Sequence, residues 1–262
     1  MSDSGGQMWR ATFAWRGTNY AGWQLQTNAE TIQARIEAAL SAICGVEERV
    51  PAQASGRTDA GVHAEMQIVS FRLPVERMPH QVVAGLNYHL PDDIVCLSAD
   101  KTVDDFSPRQ WTKEKLYRYR ILNRGPICPF RTDYVWHIQQ PLDVASMDMA
   151  TTHLIGQHDY SSFRAAGCSA NTPLRRILDA RAYARADNEL SIEFTGHGFL
   201  RHQIRIMVGT LVDVGTGKIT PDRVGEIRDA HDRLRAGTTA PAKGLVLVRV
   251  DLLAGPRQYD DD

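Results

Sequence analysis

Residues 50–73 read VPAQASGRTDAGVHAEMQIVSFRL, and this stretch decides which class of fold the chain can adopt. Val50 to Ala54 and Gln67 to Leu73 are strand-like, and we expect each to form a strand. The residues between them, 55–65, are polar and contain two glycines, so they predict a loop. We therefore expect a strand–loop–strand unit that presents polar side chains at the edge of a sheet.

The segments on both sides of this unit continue an alternation of strands and helices. Residues 8–15 alternate as a strand does, and Thr31 can cap a helix that ends at Gly45. Downstream, the apolar spacing predicts a helix over residues 82–90 and a strand over residues 94–99. The first half of the chain therefore predicts the order strand, helix, strand, strand, helix, strand.

The second half repeats a similar order. Its predicted strands are residues 116–122, 177–184, 190–195 and 245–252, and its predicted helices are residues 144–155 and 199–214. The strands 177–184 and 190–195 are expected to pair as a hairpin around Asp187-Asn188. Two such halves predict an α+β fold of two similar α/β sandwiches, in which helices pack on antiparallel or mixed sheets. We place the boundary between domains 1–105 and 106–262, because positive charge rises there and Pro108 interrupts the pattern.

Composition narrows the class of protein. The chain has 262 residues, of which 43% are hydrophobic, so it can bury a full core. Its four cysteines form no C-x-x-C pair, which argues against a zinc ribbon or a thioredoxin-like site. The polar start and the lack of a long uncharged apolar run predict a cytoplasmic protein without a signal peptide or membrane span.

The formal net charge of -1 hides an uneven distribution. Cations crowd two stretches of the second half: Arg109, Lys113, Lys115, Arg118, Arg120, Arg124 and Arg131, and then Arg175, Arg176, Arg181, Arg185, Arg201 and Arg205. Trp111, Tyr117 and Tyr119 lie among the first group, and aromatic faces beside cations suit stacking on unpaired bases. The pattern favours an RNA-binding surface, although a solvated charged face is the commoner origin of such a run.

The loop between the two strands holds the candidate catalytic chemistry. Gly56 and Gly61 permit turns that other residues resist. The side chains between them, Arg57, Thr58 and Asp59, can therefore project from the sheet edge. Arg57 can contact phosphate while Asp59 acts on a sugar or a base. On composition alone, a polar hairpin loop remains a commoner explanation than a catalytic one.

Residues 55–63, SGRTDAGVH, resemble the signature of the TruA family of tRNA pseudouridine synthases. Further matches follow in the family's order at residues 17–26 (GTNYAGWQLQ), 106–119, 159–164, 172–175, 199–205, 209–211 and 240–245. The resemblance thus covers nearly the whole chain. It departs from the family at Trp15-Arg16, where Tyr-Asp is common, and at Ser107-Pro108, where His-Ala is common. We expect these changes to affect substrate contacts more than activity.

The resemblance implies a pseudouridine synthase fold with the active-site cleft between the two halves. It implies an enzyme that isomerises uridine to pseudouridine in the anticodon stem-loop of tRNA, at positions 38–40, as a homodimer and without metal, nucleotide or redox cofactor. The reaction breaks the bond from ribose C1′ to uracil N1, rotates the base and joins C1′ to C5. Asp59 is the expected catalytic residue, by attack at C1′, by attack at C6 or by removal of the C2′ proton.

The same resemblance implies roles for further residues. Arg205 matches the basic residue that pairs with the catalytic aspartate, and an opposite charge would keep that carboxylate ionised. Tyr117 matches the tyrosine that stacks on the target base, and we expect it to act as a catalytic residue as well by assisting removal of the C5 proton. Leu245 matches the apolar residue that closes the pocket. The remaining expected substrate-binding residues are Arg57, which takes the place of the flipped nucleotide, and Arg109, Arg164 and Arg201. Without the resemblance, these would be ordinary surface arginines and core side chains.

Other catalytic chemistries fit the residues less well. A glycosidase-like hydrolase needs a second carboxylate opposite Asp59, for which Glu65 and Asp104 are available. Residues 209–218 superficially resemble a phosphate loop but lack its first glycine and its final Ser or Thr. A metal site could use His197 with His202, or His153 with His158, but neither pair has the H-E-x-x-H pattern.

Two alternatives remain open within RNA recognition. A synthase of the same family could modify a different RNA site. A non-catalytic tRNA-binding protein would share the basic stretches and the aromatic residues, but binding alone has no need for a carboxylate near phosphates.

Overall fold

The computed structural model describes residues 5–257. Its strands are β1 (Gln7–Trp15), β2 (Ala52–Ala54), β3 (His63–Leu73), β4 (Ile94–Lys101), β5 (Thr112–Asn123), β6 (Trp136–Ile138), β7 (Gly156–Asp159), β8 (Leu174–Ala184), β9 (Glu189–Gly196) and β10 (Leu245–Leu252). Its α-helices are α1 (Ile32–Cys44), α2 (Pro79–His89), α3 (Val144–Thr151), α4 (Gln203–Gly215) and α5 (Arg223–Asp229). The predicted α+β class is confirmed.

The described chain divides into two compact units, residues 5–113 with 247–257 and residues 114–246. Residues 106–113 and 247–257 were predicted in the second domain, whereas the structure places them in the first unit. These two segments hold each other, because Leu253 N–H donates to the Trp111 carbonyl at 2.8 Å and Arg257 N–H donates to the Gln110 carbonyl at 2.8 Å. A pairing between segments so distant in sequence leaves no trace in local charge or proline content.

In the first unit, the sheet has the order β4-β1-β3-β10, and β2 also pairs with β3. The β1–β3 and β1–β4 pairs are antiparallel, and the register sets Trp9 opposite Phe71. Helix α1 begins where the Thr31 side chain accepts from Ala34 N–H at 3.3 Å. It ends at Gly45, whose φ of 66° is left-handed, so both predicted ends are confirmed.

Strand β3 begins earlier than predicted. It starts at His63 rather than at Gln67, because Ala64 already pairs with Trp15 across an irregularity in β1. The loop between β2 and β3 is therefore residues 55–62, which we name the aspartate loop. Its shortness leaves Asp59 only a few residues from regular strand on the β3 side.

In the second unit, the sheet has the order β5-β9-β8-β7, and β6 adds to β5 in parallel, so the sheet is mixed. The predicted hairpin between β8 and β9 is confirmed, with Asp187 and Asn188 at φ of 58° and 56°. Helix α4 begins at Gln203 and not at Phe199, because His202 before it has a left-handed φ of 59°. The short elements β6, β7 and α5 gave no periodic signal and were not predicted.

Strand alternation separates the aromatic residues of β5 from its arginines. Tyr117 and Tyr119 are buried on one face, whereas Arg118 and Arg120 lie on the other. Tyr119 is 0% exposed, so it does not offer its ring for stacking on an unpaired base as its place among the cations suggested. Side chains of a strand alternate between its two faces, so tyrosines and arginines that alternate in the sequence of β5 lie on opposite faces of the sheet.

Two buried carboxylates of β9 bind the arginines of that second face. Glu193 accepts from Arg118 Nε at 2.7 Å, from Arg181 Nε at 2.9 Å and from the Tyr183 hydroxyl at 2.9 Å. In the same way, Glu189 accepts from Arg120 and Arg131. Several cations that the sequence suggested for RNA thus serve to neutralise carboxylates inside the unit.

Within residues 5–257, no helix combines the length and the apolar character that crossing a membrane requires.

We predict that Glu193→Gln destabilises the second unit in a pH-dependent way. Burial by itself would raise the pKa of Glu193, but the hydrogen bonds from Arg181, Arg118 and Tyr183 outweigh it, so its pKa is lowered. The stability it contributes is therefore present above the unfolded pKa of about 4.3 and is lost as pH falls through the lower folded pKa. At pH 7, urea unfolding should show a loss of about 3 kcal/mol, which shrinks in acid. The matched Glu226→Gln, in an exposed pair with Arg223, should cost less than about 1 kcal/mol; equal losses would contradict the prediction.

Candidate active site

The aspartate loop is tied together at its ends. Ser55 N–H donates to the Ile68 carbonyl at 2.9 Å, and the Ser55 hydroxyl donates to Gln67 Oε1 at 2.5 Å. The amide of Gln67, which is fully buried, donates in turn to the Gly56 carbonyl at 2.9 Å. These bonds close the loop at its base. Asp59 is half-buried and Arg57 is exposed.

A second segment, residues 15–23, lies against the aspartate loop, and we name it the clamp segment. Trp23 N–H donates to the Thr58 carbonyl at 3.1 Å, and Gly61 N–H donates to the Tyr20 carbonyl at 3.2 Å. These two bonds fix the backbone on either side of Asp59. A backbone held on both sides fixes the point from which the Asp59 side chain projects, which reduces the freedom lost when a substrate arrives.

The clamp segment also holds the start of β3. The indole N–H of Trp15 donates to the Val62 carbonyl at 3.2 Å, and Gly17 N–H donates to Nδ1 of His63 at 3.1 Å. A ring nitrogen that accepts carries no proton, so neutral His63 has its proton on Nε2. His63 is 6% exposed. His63 is the last residue of the 55–63 motif, but the sequence alone indicates no role for it.

Two glycines allow the clamp segment to come this close. A Cβ on Gly17 would lie 2.1 Å from the Val62 carbonyl oxygen, and a Cβ on Gly22 would lie 2.6 Å from that of Thr58. Gly22 also has a φ of +95°, which side chains resist. The glycine spacing of residues 17–22 is therefore a packing requirement of the aspartate loop. The Thr58 hydroxyl is buried and has no hydrogen-bond partner among residues 5–257.

The second unit carries three further predicted site residues, Tyr117, Arg205 and Leu245. The Tyr117 ring packs edge to face on Phe199, with ring centres 5.4 Å apart, and is 8% exposed. Arg205 Nε donates to the Ala240 carbonyl at 2.8 Å, and Ala240 N–H donates back to the Arg205 carbonyl at 3.0 Å. Arg205 is thereby bound to the segment that leads to Leu245, which is 5% exposed.

Tyr119 also contacts this segment, residues 240–245. Its hydroxyl donates to the Pro241 carbonyl at 2.7 Å, and a Cβ on Gly244 would lie 2.6 Å from its ring. Burial raises the pKa of the Tyr119 phenol, and the charge of Arg205 only partly offsets this. Tyr119 is therefore a neutral hydrogen-bond donor under the segment. The spacing of Tyr117 and Tyr119 in the sequence does not reveal the contact of Tyr119 with residues 240–245.

Arg164 and Arg201 hold a loop of the second unit, residues 164–171. Arg164 Nη2 donates to the carbonyls of Cys168 and Ala170 at 2.8 and 2.7 Å, and Arg201 Nη1 donates to the Ala166 carbonyl at 3.0 Å. Burial tends to raise the pKa of the Cys168 thiol, but hydrogen bonds from the backbones of Arg201 and Ala170 and from the Arg164 side chain lower it overall. Both arginines thus stabilise the conformation of residues 164–171 by binding its backbone carbonyls.

The predicted site residues divide between the units. Arg57, Asp59 and Arg109 belong to the first unit, and Tyr117, Arg164, Arg201, Arg205 and Leu245 belong to the second. Within the first unit, the structure adds the clamp segment and His63 to the residues that sequence reasoning found. Their signal in the sequence was the pair of glycines at 17 and 22, whose purpose appears only with the fold.

His153 and His158, one of the two histidine pairs considered above, contact other groups of the second unit. His158 Nε2 lies 2.9 Å from the Ile155 carbonyl and 3.2 Å from Arg228 Nη1, and His153 Nε2 lies 3.3 Å from Asp222. Among residues 5–257, no group of three or more His, Cys, Asp or Glu side chains could hold a metal ion.

Comparison with known proteins gives a family match over most of the chain. The family model described as tRNA pseudouridine synthase matches residues 11–109 and 150–251. These ranges include the clamp segment from Trp15, the aspartate loop and helix α4.

Similar proteins from several bacteria are named tRNA pseudouridine synthase A. The protein of Pelobacter propionicus is 44% identical over 241 residues, which cover 92% of this chain and 98% of that protein. The protein of Moorella thermoacetica is 42% identical over 251 residues, with 92% and 98% covered. That of Myxococcus xanthus is 40% identical over 247 residues, with 94% and 92% covered. A solved structure of a Cbf5–Nop10–Gar1 complex matches at 10% identity and a TM-score of 0.36, covering 92% of this chain and 58% of that chain.

We predict that Gly17→Ala destabilises the first unit. The added methyl meets the carbonyl of Val62, the last residue of the aspartate loop, which the Trp15 indole already binds, so the clamp segment must move away from Val62. Urea unfolding should show a loss of about 1–3 kcal/mol, and amide exchange should quicken at residues 58–63. The control is Gly85→Ala, where the methyl meets only the Ile43 side chain and where stability should stay within about 1 kcal/mol of wild type. Equal effects of the two changes would contradict the prediction.

Proposed function

This chain belongs to the tRNA pseudouridine synthase family, and from that premise we propose that it isomerises uridines in the anticodon stem-loop of tRNA. The isomerisation of uridine in tRNA is the activity that the family carries. The anticodon site, positions 38–40, is the finer part of the proposal. It follows from the resemblance of the chain's motifs, in their order, to those of the TruA family.

The observation that carries the proposal is the fixed backbone around Asp59. The clamp segment binds the residues before and after Asp59 through Thr58, Gly61 and Val62. Preorganised groups need no rearrangement in the transition state, and this is a large part of enzymatic rate acceleration. A polar loop that served only as a hairpin connection would have no need of such a clamp.

A carboxylate suits the isomerisation because it can act as a nucleophile or as a base once it is ionised. The bond from C1′ to N1 breaks, the base turns, and a bond from C1′ to C5 forms. C5 then loses its proton and N1 gains one, so uridine and pseudouridine have the same composition. Asp59 performs one of three steps: attack at C1′, attack at C6 or removal of the C2′ proton.

The other site residues take the following proposed roles. Tyr117, held edge to face by Phe199, stacks on the target base. Arg205 is a second catalytic residue besides Asp59. Leu245 closes the pocket over the base. Flipping a base costs a few kcal/mol, and a side chain that fills the vacated stack offsets part of this cost. Arg57, which is exposed on the aspartate loop, fills that space.

The remaining arginines contribute to RNA binding in two ways, one direct and one through a loop. Arg109 is exposed on the first unit and is placed to contact phosphate. Arg164 and Arg201 act through the loop of residues 164–171, whose carbonyls they already bind. Replacing either should therefore weaken tRNA binding by disordering that loop.

We predict that Asp59→Asn abolishes isomerisation and leaves tRNA binding intact. With tRNA carrying tritium at uridine C5, tritium release should fall by about three orders of magnitude or more. The dissociation constant for tRNA should stay within about twofold, because the substitution preserves shape and removes only the carboxylate.

The matched control is Glu65→Gln, since Glu65 is an exposed carboxylate near the start of β3. It should release tritium as wild type does. Release of free uracil would indicate a glycosidase-like hydrolase instead, with Glu65 as a candidate second carboxylate. A silent wild type that binds tRNA would indicate a non-catalytic binding protein, and an active Asp59→Asn variant would refute the assigned catalyst.

We further propose that the protein works in the cytoplasm as a homodimer, as the family resemblance implies. Sedimentation velocity should give a species of twice the 29.3 kDa of one chain. A single species of one chain's mass, at concentrations where the enzyme is active, would contradict the dimer.

A further inference from the structure

Asp93, the residue before β4, is bound by several groups of one short stretch of the clamp segment. The Tyr20 hydroxyl donates to Asp93 Oδ1 at 2.5 Å, and Asn19 Nδ2 donates to Oδ2 at 3.4 Å. Arg16 contributes twice, since its N–H donates to the Asp93 carbonyl at 2.9 Å and its Nη2 lies 4.0 Å from Oδ2. One residue thus anchors the whole turn from Arg16 to Tyr20.

The strongest of these contacts is shielded from water. The Asp93 side chain is 12% exposed and Tyr20 is 8% exposed, whereas the Arg16 side chain is 43% exposed. Burial raises the pKa of the Tyr20 phenol, and the hydrogen bond to Asp93 raises it further. The phenol therefore stays protonated and keeps donating to the carboxylate. A short hydrogen bond to a charged acceptor is stronger than one between neutral groups.

Tyr20 links Asp93 to the aspartate loop. Its hydroxyl binds Asp93, and its carbonyl accepts from Gly61 N–H two residues after Asp59. The same turn contains Gly17, whose N–H binds His63 at the start of β3. A shift of Tyr20 would therefore pull on both the aspartate loop and the strand that follows it.

We propose that Asp93 is a positioning residue for the isomerisation, acting through Tyr20 and the clamp segment to set the orientation of Asp59. The proposal rests on the proposed function, because it concerns the reaction that Asp59 carries out. Asp93 itself touches neither substrate nor reacting atoms in this role. Its effect is on the rate of the chemical step and not on tRNA affinity.

The departure of this chain from the family at residue 16 fits the same arrangement. An aspartate there would bring a second carboxylate towards Asp93, whereas Arg16 brings an opposite charge. At 4.0 Å and with the arginine largely solvated, this ion pair adds little compared with Tyr20. We therefore rank the contribution of Tyr20 above that of Arg16.

The test compares Asp93→Ala with Asp92→Ala in the full-length protein. Asp92 is the neighbouring aspartate and is exposed, so its removal should leave every measurement unchanged. Asp93→Ala leaves the buried Tyr20 hydroxyl without its acceptor. Its single-turnover rate of tritium release at saturating enzyme should fall about 10- to 100-fold, the size expected for a small misplacement of a catalytic group.

Three readouts separate positioning from general destabilisation. The tRNA dissociation constant of Asp93→Ala should stay within about twofold of wild type, and the rate per folded molecule should still be reduced. Asp93→Asn keeps an acceptor oxygen for Tyr20 and should recover most of the rate. Tyr20→Phe should lower the rate in the same sense, and the double variant Tyr20→Phe, Asp93→Ala should be no slower than Asp93→Ala alone.

Each remaining outcome overturns the proposal. If Asp93→Ala loses activity only in proportion to its unfolded fraction, Asp93 is structural. If the rate losses of Tyr20→Phe and Asp93→Ala add up in the double variant, Asp93 does not act through Tyr20. A silent wild type removes the proposed function and this role together, whereas an active wild type matched by Asp93→Ala removes this role alone.

Discussion

The first unit depends on the hydrogen bonding between the clamp segment and the aspartate loop. Trp23 binds Thr58, Tyr20 binds Gly61 and Trp15 binds Val62, so the backbone on both sides of Asp59 is fixed by a segment about 40 positions earlier in the chain. The close approach is possible because neither Gly17 nor Gly22 carries a Cβ. The candidate carboxylate of Asp59 is thus placed by backbone geometry, which is less variable than a contact between long side chains.

The second unit depends on ion pairs, because its mixed sheet contains buried carboxylates beside several arginines. Its two β9 carboxylates, Glu189 and Glu193, accept from arginines on both neighbouring strands and from Arg131. A buried carboxylate without these partners would be costly, so carboxylates and arginines are required together. The number of arginines therefore overstates the cations available for RNA.

Sequence reasoning recovered most of the architecture. Thr31 and Gly45 bound α1 as capping rules require, and the hairpin at Asp187 and Asn188 has the left-handed residues that its composition suggested. Errors arose where local preference and long-range pairing disagree. Strand β3 extends back to His63 because Ala64 pairs with Trp15, and α4 starts late because His202 is left-handed. Strands as short as β6 and β7 are too brief to show a period.

The sequence by itself determined the family, the candidate carboxylate at Asp59 and the order of the main strands and helices. These properties depend on residue types and on spacings of two to four residues, which are visible in one dimension. Only the tertiary structure decided why Gly17 and Gly22 are glycines, which face of β5 carries Arg118 and Arg120, and that Asp93 binds the turn at Tyr20. The physical reason is that hydrogen bonds and close contacts act over about 3 Å in space, whereas Tyr20 and Asp93 are 73 positions apart in the chain.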